Sequence, residues 1–385
     1  MPSTQSPPLP DVLNVAETYV EPIVELTIRL SEVPAPTNDE ALRAAAVREE
    51  LEQLGYEDVT EDELHNVTGR IAGMDSSLCL LLAGHIDTVF PSNVNLTVTR
   101  EGDVLHGPGV GDNTVSVASV AMVGRALRDL GIVPAVDIVV TGNVGEEGLG
   151  DLRGMRAVVD ALPNLGGAIA VEGHSLGRIT HRAVGSRRLR VTVTGPGGHS
   201  WGQAGLPSAI HHLARIIARL DAIPLTDDPK TSFNAGIFQG GISVNTIAPE
   251  AVAVLDMRST SAEALAGLVS EVERVLATPA PDGIDVDVEV VGNRPAGELP
   301  ADRGLVPVAT SVLRELGFDV AYDTSSTDAN IPISRGIPAI CIGLTTGGNV
   351  HRVDEYINIS PLAKGFAQLL LTATRSADAI ATGQL

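Results

Sequence analysis

Aromatic residues are scarce in this chain, at 3% of its 385 residues, with a single tryptophan. Proteins that bind single-stranded nucleic acid stack bases on aromatic faces, so this shortage counts against such a role. Basic residues are also few: 26 Lys and Arg stand against 48 Asp and Glu, a formal net charge of −22. A surface of that sign repels phosphate backbones and anionic lipid, which excludes nucleic acid and membrane as expected partners. Cysteine occurs only as Cys79 and Cys341, each inside an apolar run. They read as small buried hydrophobes, and no pair has zinc-ribbon spacing. Any metal site must therefore be built from histidine and carboxylate. No apolar run approaches the roughly 20 residues of a bilayer span. Residues 1–10 are rich in Pro and Ser and lack a basic region followed by an apolar core, so they do not read as a signal peptide. The expected location is cytoplasmic.

What the chain has in quantity is core material. Hydrophobic residues make up 44% and charged residues 19%, which suits a folded chain long enough for two domains. Apolar residues recur at helical spacing over 11–33, and a second helix is predicted over 41–54 with Thr37 or Asn38 as its cap. Residues 59–71 read as one or two strands at a sheet edge. Residues 78–83 form an apolar strand that delivers His85 and, two residues on, Asp87. Short strands about Gly102-Asp103 follow, then a helix over 114–130, a strand over 136–141, a helix over 155–162 and a strand over 168–171. Strands alternating with helices at this spacing predict an α/β fold, a mostly parallel sheet flanked by helices.

The period then changes. Leu189, Val191 and Val193 alternate with Arg188, Arg190 and Thr192, as in a half-exposed strand. A helix over 207–220, strands over 233–247 and 251–258, a helix over 262–276 and a strand over 284–291 complete the β-α-β-β-α-β order of a small α+β sandwich. The α/β pattern resumes with a helix over 305–316, a strand over 320–322, a helix over 329–335, a strand over 339–342 and a helix over 360–377. The expected organisation is one domain formed by 1–184 and 295–385, with a second inserted at 185–294.

Five side chains at strand ends or in the loops after them suit a pair of divalent cations: His85, Asp112, Glu147, Glu172 and His351. Zinc takes imidazole nitrogen and carboxylate oxygen, and two metals about 3.5–4 Å apart need a bridging carboxylate with two further ligands each. Two histidines and three carboxylates fit that count. Asp87 is expected to accept the ring N–H of His85 and fix its tautomer. Each residue has a plainer reading. Asp112 caps the following helix, Glu146-Glu147 are solvated charges, Glu172 pairs with a base, and His351 is a loop histidine. The joint pattern favours the metal site, because all five follow strand-like runs where an open sheet forms its crevice. The run Gly107-Pro108-Gly109-Val110-Gly111-Asp112 is spaced G-x-G-x-G, so a dinucleotide fingerprint fails.

The same motifs resemble those of the M20 family of metallopeptidases and amidohydrolases. They are Gly84-His85-Ile86-Asp87-Thr88-Val89, Gly107-Pro108-Gly109 through Asp112, Gly145-Glu146-Glu147-Gly148, Val171-Glu172-Gly173, Gly197-Gly198-His199-Ser200 and Val350-His351-Arg352-Val353-Asp354-Glu355. Asp62 through Asn66-Val67 resembles the family's early strand, and the match runs over about 12–377 in consistent order. The family includes a glutamate-releasing carboxypeptidase, a tripeptidase, and acetylornithine and succinyl-diaminopimelate deacylases. The resemblance implies a catalytic domain of the di-zinc exopeptidase type with an inserted dimerisation or lid domain. It implies one metal at His85, Asp112 and Glu172 and another at Asp112, Glu147 and His351, with Asp112 bridging. Glu146 falls on the general base that takes a proton from water and hands it to the leaving amine. By resemblance His199 reaches the partner subunit's active site and stabilises the oxyanion. Asn245 and Arg258 match positions that hold the substrate's backbone or carboxylate, and Gly347-Gly348 would offer backbone N–H donors. Their plainer readings are a surface histidine, a turn amide, a solvated arginine and a flexible loop; Asp328 would only cap a helix. A cis peptide at Asp112-Asn113 is also implied.

The sequence departs from many relatives at Asn113-Thr114-Val115, where those carry Asp-Lys or Met-Lys-Gly. The ligands are untouched, but inference of a particular substrate by analogy is weakened. The leading reading is a two-metal hydrolase that cleaves an amide in a small peptide, an exopeptidase. An N-acyl-amino-acid deacylase is the alternative, with ureido hydrolysis behind it. The rival of another class is a non-catalytic binding homologue, which should have lost a ligand or the base; all are present. Zinc is the expected metal, with Mn or Co as alternatives, and a homodimer through the inserted domain is the expected assembly.

Overall fold

The strand Asp75–His85 begins exposed and ends with seven consecutive buried residues. A computed structural model, which describes residues 8–385, explains that run. The strand is paired in parallel on both sides, with Val136–Asn143 and with Leu165–Glu172. A strand covered on both faces must be apolar on both. Leu80 and Leu82 pack into one core, while Cys79, Leu81 and Ala83 pack into another on the opposite face. The first core is closed by the helices Leu9–Ser31, Val115–Asp129, Leu305–Glu315 and Leu362–Ala381. The second is closed by Arg153–Ala161 and Asn330–Ser334. This is the α/β architecture expected, a mostly parallel sheet flanked by helices. Residues 1–7 of the Pro/Ser-rich opening segment lie outside the described residues.

The sheet runs in the order Glu57–Glu61, Val67–Ile71, Val136–Asn143, Asp75–His85, Leu165–Glu172, Ala339–Gly343, Arg178–Ala183, with Ala321–Ser325 also pairing with Arg178–Ala183. Register matters more than order here. His85 lies opposite Asn143, and Glu172 lies opposite Gly343. The C-terminal ends of four parallel strands therefore finish at one level, and the loops that leave them share one crevice.

Several local expectations are corrected. The helix Ala41–Gln53 is not capped by Thr37 or Asn38; its N-cap is Glu40, and Asn38 takes a positive φ of 76°. The Glu40 carboxylate accepts the Asn38 backbone N–H at 2.9 Å, and Thr37 instead gives its hydroxyl to Asp87. The strand predicted over 233–247 stops at Gly240, because the chain turns at Gly241 with φ 81°. Thr246–Ile247 then pairs separately with Gly198–His199. The strand Arg178–Ala183 has mixed polarity and carries no sequence signal.

The chain divides into two compact units, one of Val184–Gly297 and one of the residues on either side of it. The 184–297 unit has a four-stranded antiparallel sheet in the order Thr231–Gly240, Glu250–Ser259, Gly185–Thr194, Asp285–Arg294. Leu189, Val191 and Val193 with Ala251, Ala253, Leu255 and Met257 bury one face against the helices Ala209–Asp221 and Ala262–Leu276. The alternation read from the sequence is this buried face.

Candidate metal centre

His85 ends the central strand with 1% of its side chain exposed. Its Nε2 lies 3.1 Å from Asp112 Oδ1 and 3.9 Å from Glu172 Oε2. His351 Nε2 lies 3.1 Å from Asp112 Oδ2 and 2.9 Å from Glu147 Oε1. The two oxygens of Asp112 thus face two different imidazoles, each flanked by another carboxylate. The two groups His85/Asp112/Glu172 and Asp112/Glu147/His351 each gather their ligand atoms within 4.8 Å of one another. A third grouping, His85/Glu146/Glu147, meets the same distance. All five predicted ligand residues and Glu146 are brought together.

The N-cap of the helix Val115–Asp129 is Thr114, so Asp112, whose backbone is non-helical, is no helix cap. The Asp112-Asn113 peptide is cis. Asn113 is buried and bonds the strand end that carries Glu172: its Nδ2 donates to Val171 O at 2.8 Å, and its Oδ1 accepts from Gly173 N at 3.1 Å.

The electrostatics fit a cation pair. Burial pushes Glu172 up to about 8, with His85 opposing and the Asp112 charge adding to the rise. Burial likewise raises Glu147, again with Asp112 adding. For Asp112 burial is outweighed by the bonds from His351 and His85, which hold its carboxyl well below the usual range. The bond to Asp112 lifts His351 to about 9. Three carboxylates this close repel one another, and positive charge between them relieves the repulsion. Imidazole nitrogen with carboxylate oxygen is the donor set that zinc, manganese and cobalt accept. The residues fit two divalent cations.

Asp87 does more than its expected role. The ring Nδ1 of His85 lies 3.1 Å from the backbone oxygen of Asp87 and 3.6 Å from its carboxylate. The fully buried carboxylate also accepts the backbone N–H of Glu146 on Oδ1 and of Glu147 on Oδ2, both at 3.0 Å. Thr37 donates to Oδ2 at 2.9 Å. Asp87 therefore holds the loop of the base and a candidate ligand, while its main-chain oxygen and its carboxylate both face the His85 ring.

The remaining predicted residues are placed as follows. In the 184–297 unit, His199 Nδ1 accepts the backbone N–H of Trp201 and Gly202 at 3.2 and 3.1 Å. A neutral imidazole that accepts at Nδ1 carries its proton on Nε2. Asn245 lies in the turn from Ser243 to Thr246, and its backbone oxygen accepts from Ser200 N at 3.0 Å. Arg258 remains 42% exposed, and its Nε donates to Asp256 at 2.7 Å. Gly347–Gly348 is a short strand paired with Ile357 and Tyr356 and not a flexible loop. Asp328 does not cap the helix Asn330–Ser334, whose N-cap is Ala329; it is buried and accepts Asn143 Nδ2 at 2.7 Å.

Sequence reasoning missed three contributors. Asn66 Oδ1 accepts from Val144 N at 3.0 Å, propping the loop that carries Glu146. His174 and Glu355 are bonded at 2.9 Å beside Asp112. Glu355 was visible only as the last residue of the His351 motif, and His174 had no signal at all.

A family model described as peptidase family M20/M25/M40 matches residues 81–375. Succinyl-diaminopimelate desuccinylase of Corynebacterium glutamicum is 27% identical over 345 residues, 87% of this chain and 91% of that one. The structure of a Staphylococcus aureus tripeptidase shares the fold with TM-score 0.78 at 22% identity, covering 93% of this chain and 99% of that one. A Bacillus subtilis protein described as a dinuclear metal-binding M20 peptidase shares it with TM-score 0.67 at 16% identity, covering 94% and 99%. The match spans most of the chain and takes in every ligand of the cluster, so this protein belongs to peptidase family M20/M25/M40 and is a hydrolase of C–N bonds.

Proposed function

We propose that the protein is a two-metal exopeptidase that releases an end residue from a small peptide. The observation that carries this reading is Asp112, whose two oxygens each face a different histidine. His85, Asp112 and Glu172 would hold one divalent cation and Asp112, Glu147 and His351 the other; bound there, the pair would polarise a carbonyl and make water more acidic. Glu146 is buried beside the cluster, its N–H anchored on Asp87. It takes one proton from the attacking water and delivers it to the amine nitrogen as the C–N bond breaks. By the family resemblance, His199 would reach the partner subunit's active site and donate to the carbonyl oxygen as that oxygen gains charge. The Gly347-Gly348 backbone orients the substrate. Arg258 would have to leave Asp256 to reach a substrate carboxylate, which makes it the weakest of these contacts.

Deacylation of an N-acyl amino acid is the second reading, favoured by the 27% identity to the desuccinylase. It needs the same residues and differs only in what lies on the acyl side. Zinc is the proposed metal and the cytoplasm the proposed location. Among the described residues, no helix is long and apolar enough to cross a membrane. A homodimer through the 184–297 unit is proposed because the edge strand Thr231–Gly240 leaves Ile237 and Phe238 about half exposed.

Incubation of the metal-loaded protein with pooled dipeptides, tripeptides and N-acyl amino acids, with products identified by mass spectrometry, tests the reading. Release of an end residue from peptides supports it, and release only of acyl groups selects the deacylase. Glu146→Gln should lower turnover by about 10²–10⁴-fold with metal content unchanged. Silence across every pool with metal bound would revive the binding-protein reading.

A further inference from the structure

We propose that Glu355 is a positioning residue for the metal centre, seated in an anion nest formed by the glycine-rich run 107–112. The inference rests on the two-metal reading above. The Glu355 side chain is fully buried, and its carboxylate is bonded to backbone N–H groups and to the His174 ring. Its Oε2 accepts the Gly109 N–H at 2.8 Å. Its Oε1 accepts the N–H of Gly111 at 3.1 Å and of Asp112 at 2.8 Å. His174 Nε2 lies 2.9 Å from the same oxygen. Successive backbone N–H groups converging on one anion form a nest. Such a nest normally takes a phosphate or other ligand; this one takes the chain's own carboxylate.

The glycines follow from that occupant. Gly109 has φ 69°, the left-handed region that turns its N–H inward. A Cβ on Gly111 would lie 2.1 Å from His174 Nε2 and 2.8 Å from Glu355 Oε1. A Cβ on Gly347 would lie 2.7 Å from His174 Cε1. His174 thus packs against two glycines and donates from Nε2 to Glu355; its Nδ1 is buried without a partner among the described residues. The consequence is positional. Asp112 is held by its own N–H, Glu172 stands two residues before His174, and His351 stands four residues before Glu355. One carboxylate therefore ties together the three loops whose side chains meet around the two cation positions.

Direct cation binding tests this, read by titrating the metal-stripped protein with Zn²⁺ against a chelating dye. The wild type should bind two ions, and Glu355→Gln should bind them about 10- to 100-fold more weakly. Gly111→Ala should do the same although no carboxylate has changed. His174→Leu should weaken binding by about 10-fold, and His174→Gln, which restores a donor at the same place, should recover it. Faster amide exchange at Gly109, Gly111 and Asp112 in Glu355→Gln reads the nest itself. A lower Tm with unchanged affinity would reduce Glu355 to a purely structural role and overturn the proposal. Should Glu355→Gln not fold, wild-type affinity in His174→Leu overturns it instead. A wild type that binds no cation refutes the two-metal reading, and the exchange measurement then still decides the nest.

Discussion

Asp87 shows how a residue is legible in kind but not in role. Its place two residues after His85 marks it as part of the site. Which groups it bonds depends on Glu146 and Glu147, 59 and 60 positions further along the chain. Asp87→Asn removes one of the two oxygens that receive those amides but leaves the main-chain oxygen that faces the His85 ring. It should lower activity by about 10- to 100-fold, with faster hydrogen exchange at the amides of Glu146 and Glu147. Orientation of the ring alone would leave those amides unchanged. Arg43 is a second instance. It reads as an ordinary charge on a helix, yet it is fully buried. Its guanidinium donates to the carbonyls of Val33 and Ile86 at 2.7 and 2.9 Å, tying the first helix to the segment between His85 and Asp87.

At the scale of elements, apolar runs and helical spacing located the buried strands and long helices, because a sheet buried on both faces leaves no other pattern. Boundaries were harder, since they depend on which chain covers an end. The closing helix begins at Leu362 and not at 360 because the chain must first pair Tyr356–Asn358 with Val104–His106. Gly365 lies on the first turn of that helix against the chain leaving Ala339–Gly343, and a Cβ there would sit 1.8 Å from Leu344 O. Gly365→Ala should therefore destabilise the fold by about 1–3 kcal/mol, seen as a lower urea midpoint. A midpoint equal to that of the wild type would show that the helix can slide away at no cost. The four strand ends at one level also explain why residues from 85 to 351 meet, which no single motif contains.

At the scale of the whole molecule, stability at high pH should depend on buried phenols. Burial raises the pKa of Tyr56, whose hydroxyl donates to Ala121 O and accepts from Gly124 N, both at 2.9 Å. A group whose folded pKa lies above its unfolded one contributes fully below the unfolded value, near 10.0 for this residue, and loses that contribution as pH rises through the folded value. Stability against urea should thus fall above pH 10 by up to about 1.4 kcal/mol per pH unit from this phenol. Tyr56→Phe should flatten the decline, and an unchanged slope would remove Tyr56 as its source. Assembly is the other property at this scale. Phe238→Glu on the exposed edge strand should convert the proposed dimer to a monomer in sedimentation; a variant that stays dimeric would place the interface elsewhere.

The sequence by itself determined the layered α/β architecture and the kinds of ligand, because burial requires apolar runs and a cysteine-poor metal site requires imidazole and carboxylate. It also placed each candidate ligand after a strand, since the chemistry of an open sheet gathers there. Only the tertiary structure decided what holds those ligands in place. Asp87 grips a loop through two amides, and Glu355 closes a nest of glycines more than 240 residues away from it. Those bonds join backbone N–H groups to distant carboxylates, and every residue but proline carries the same N–H, so the chain's letters leave no mark of them.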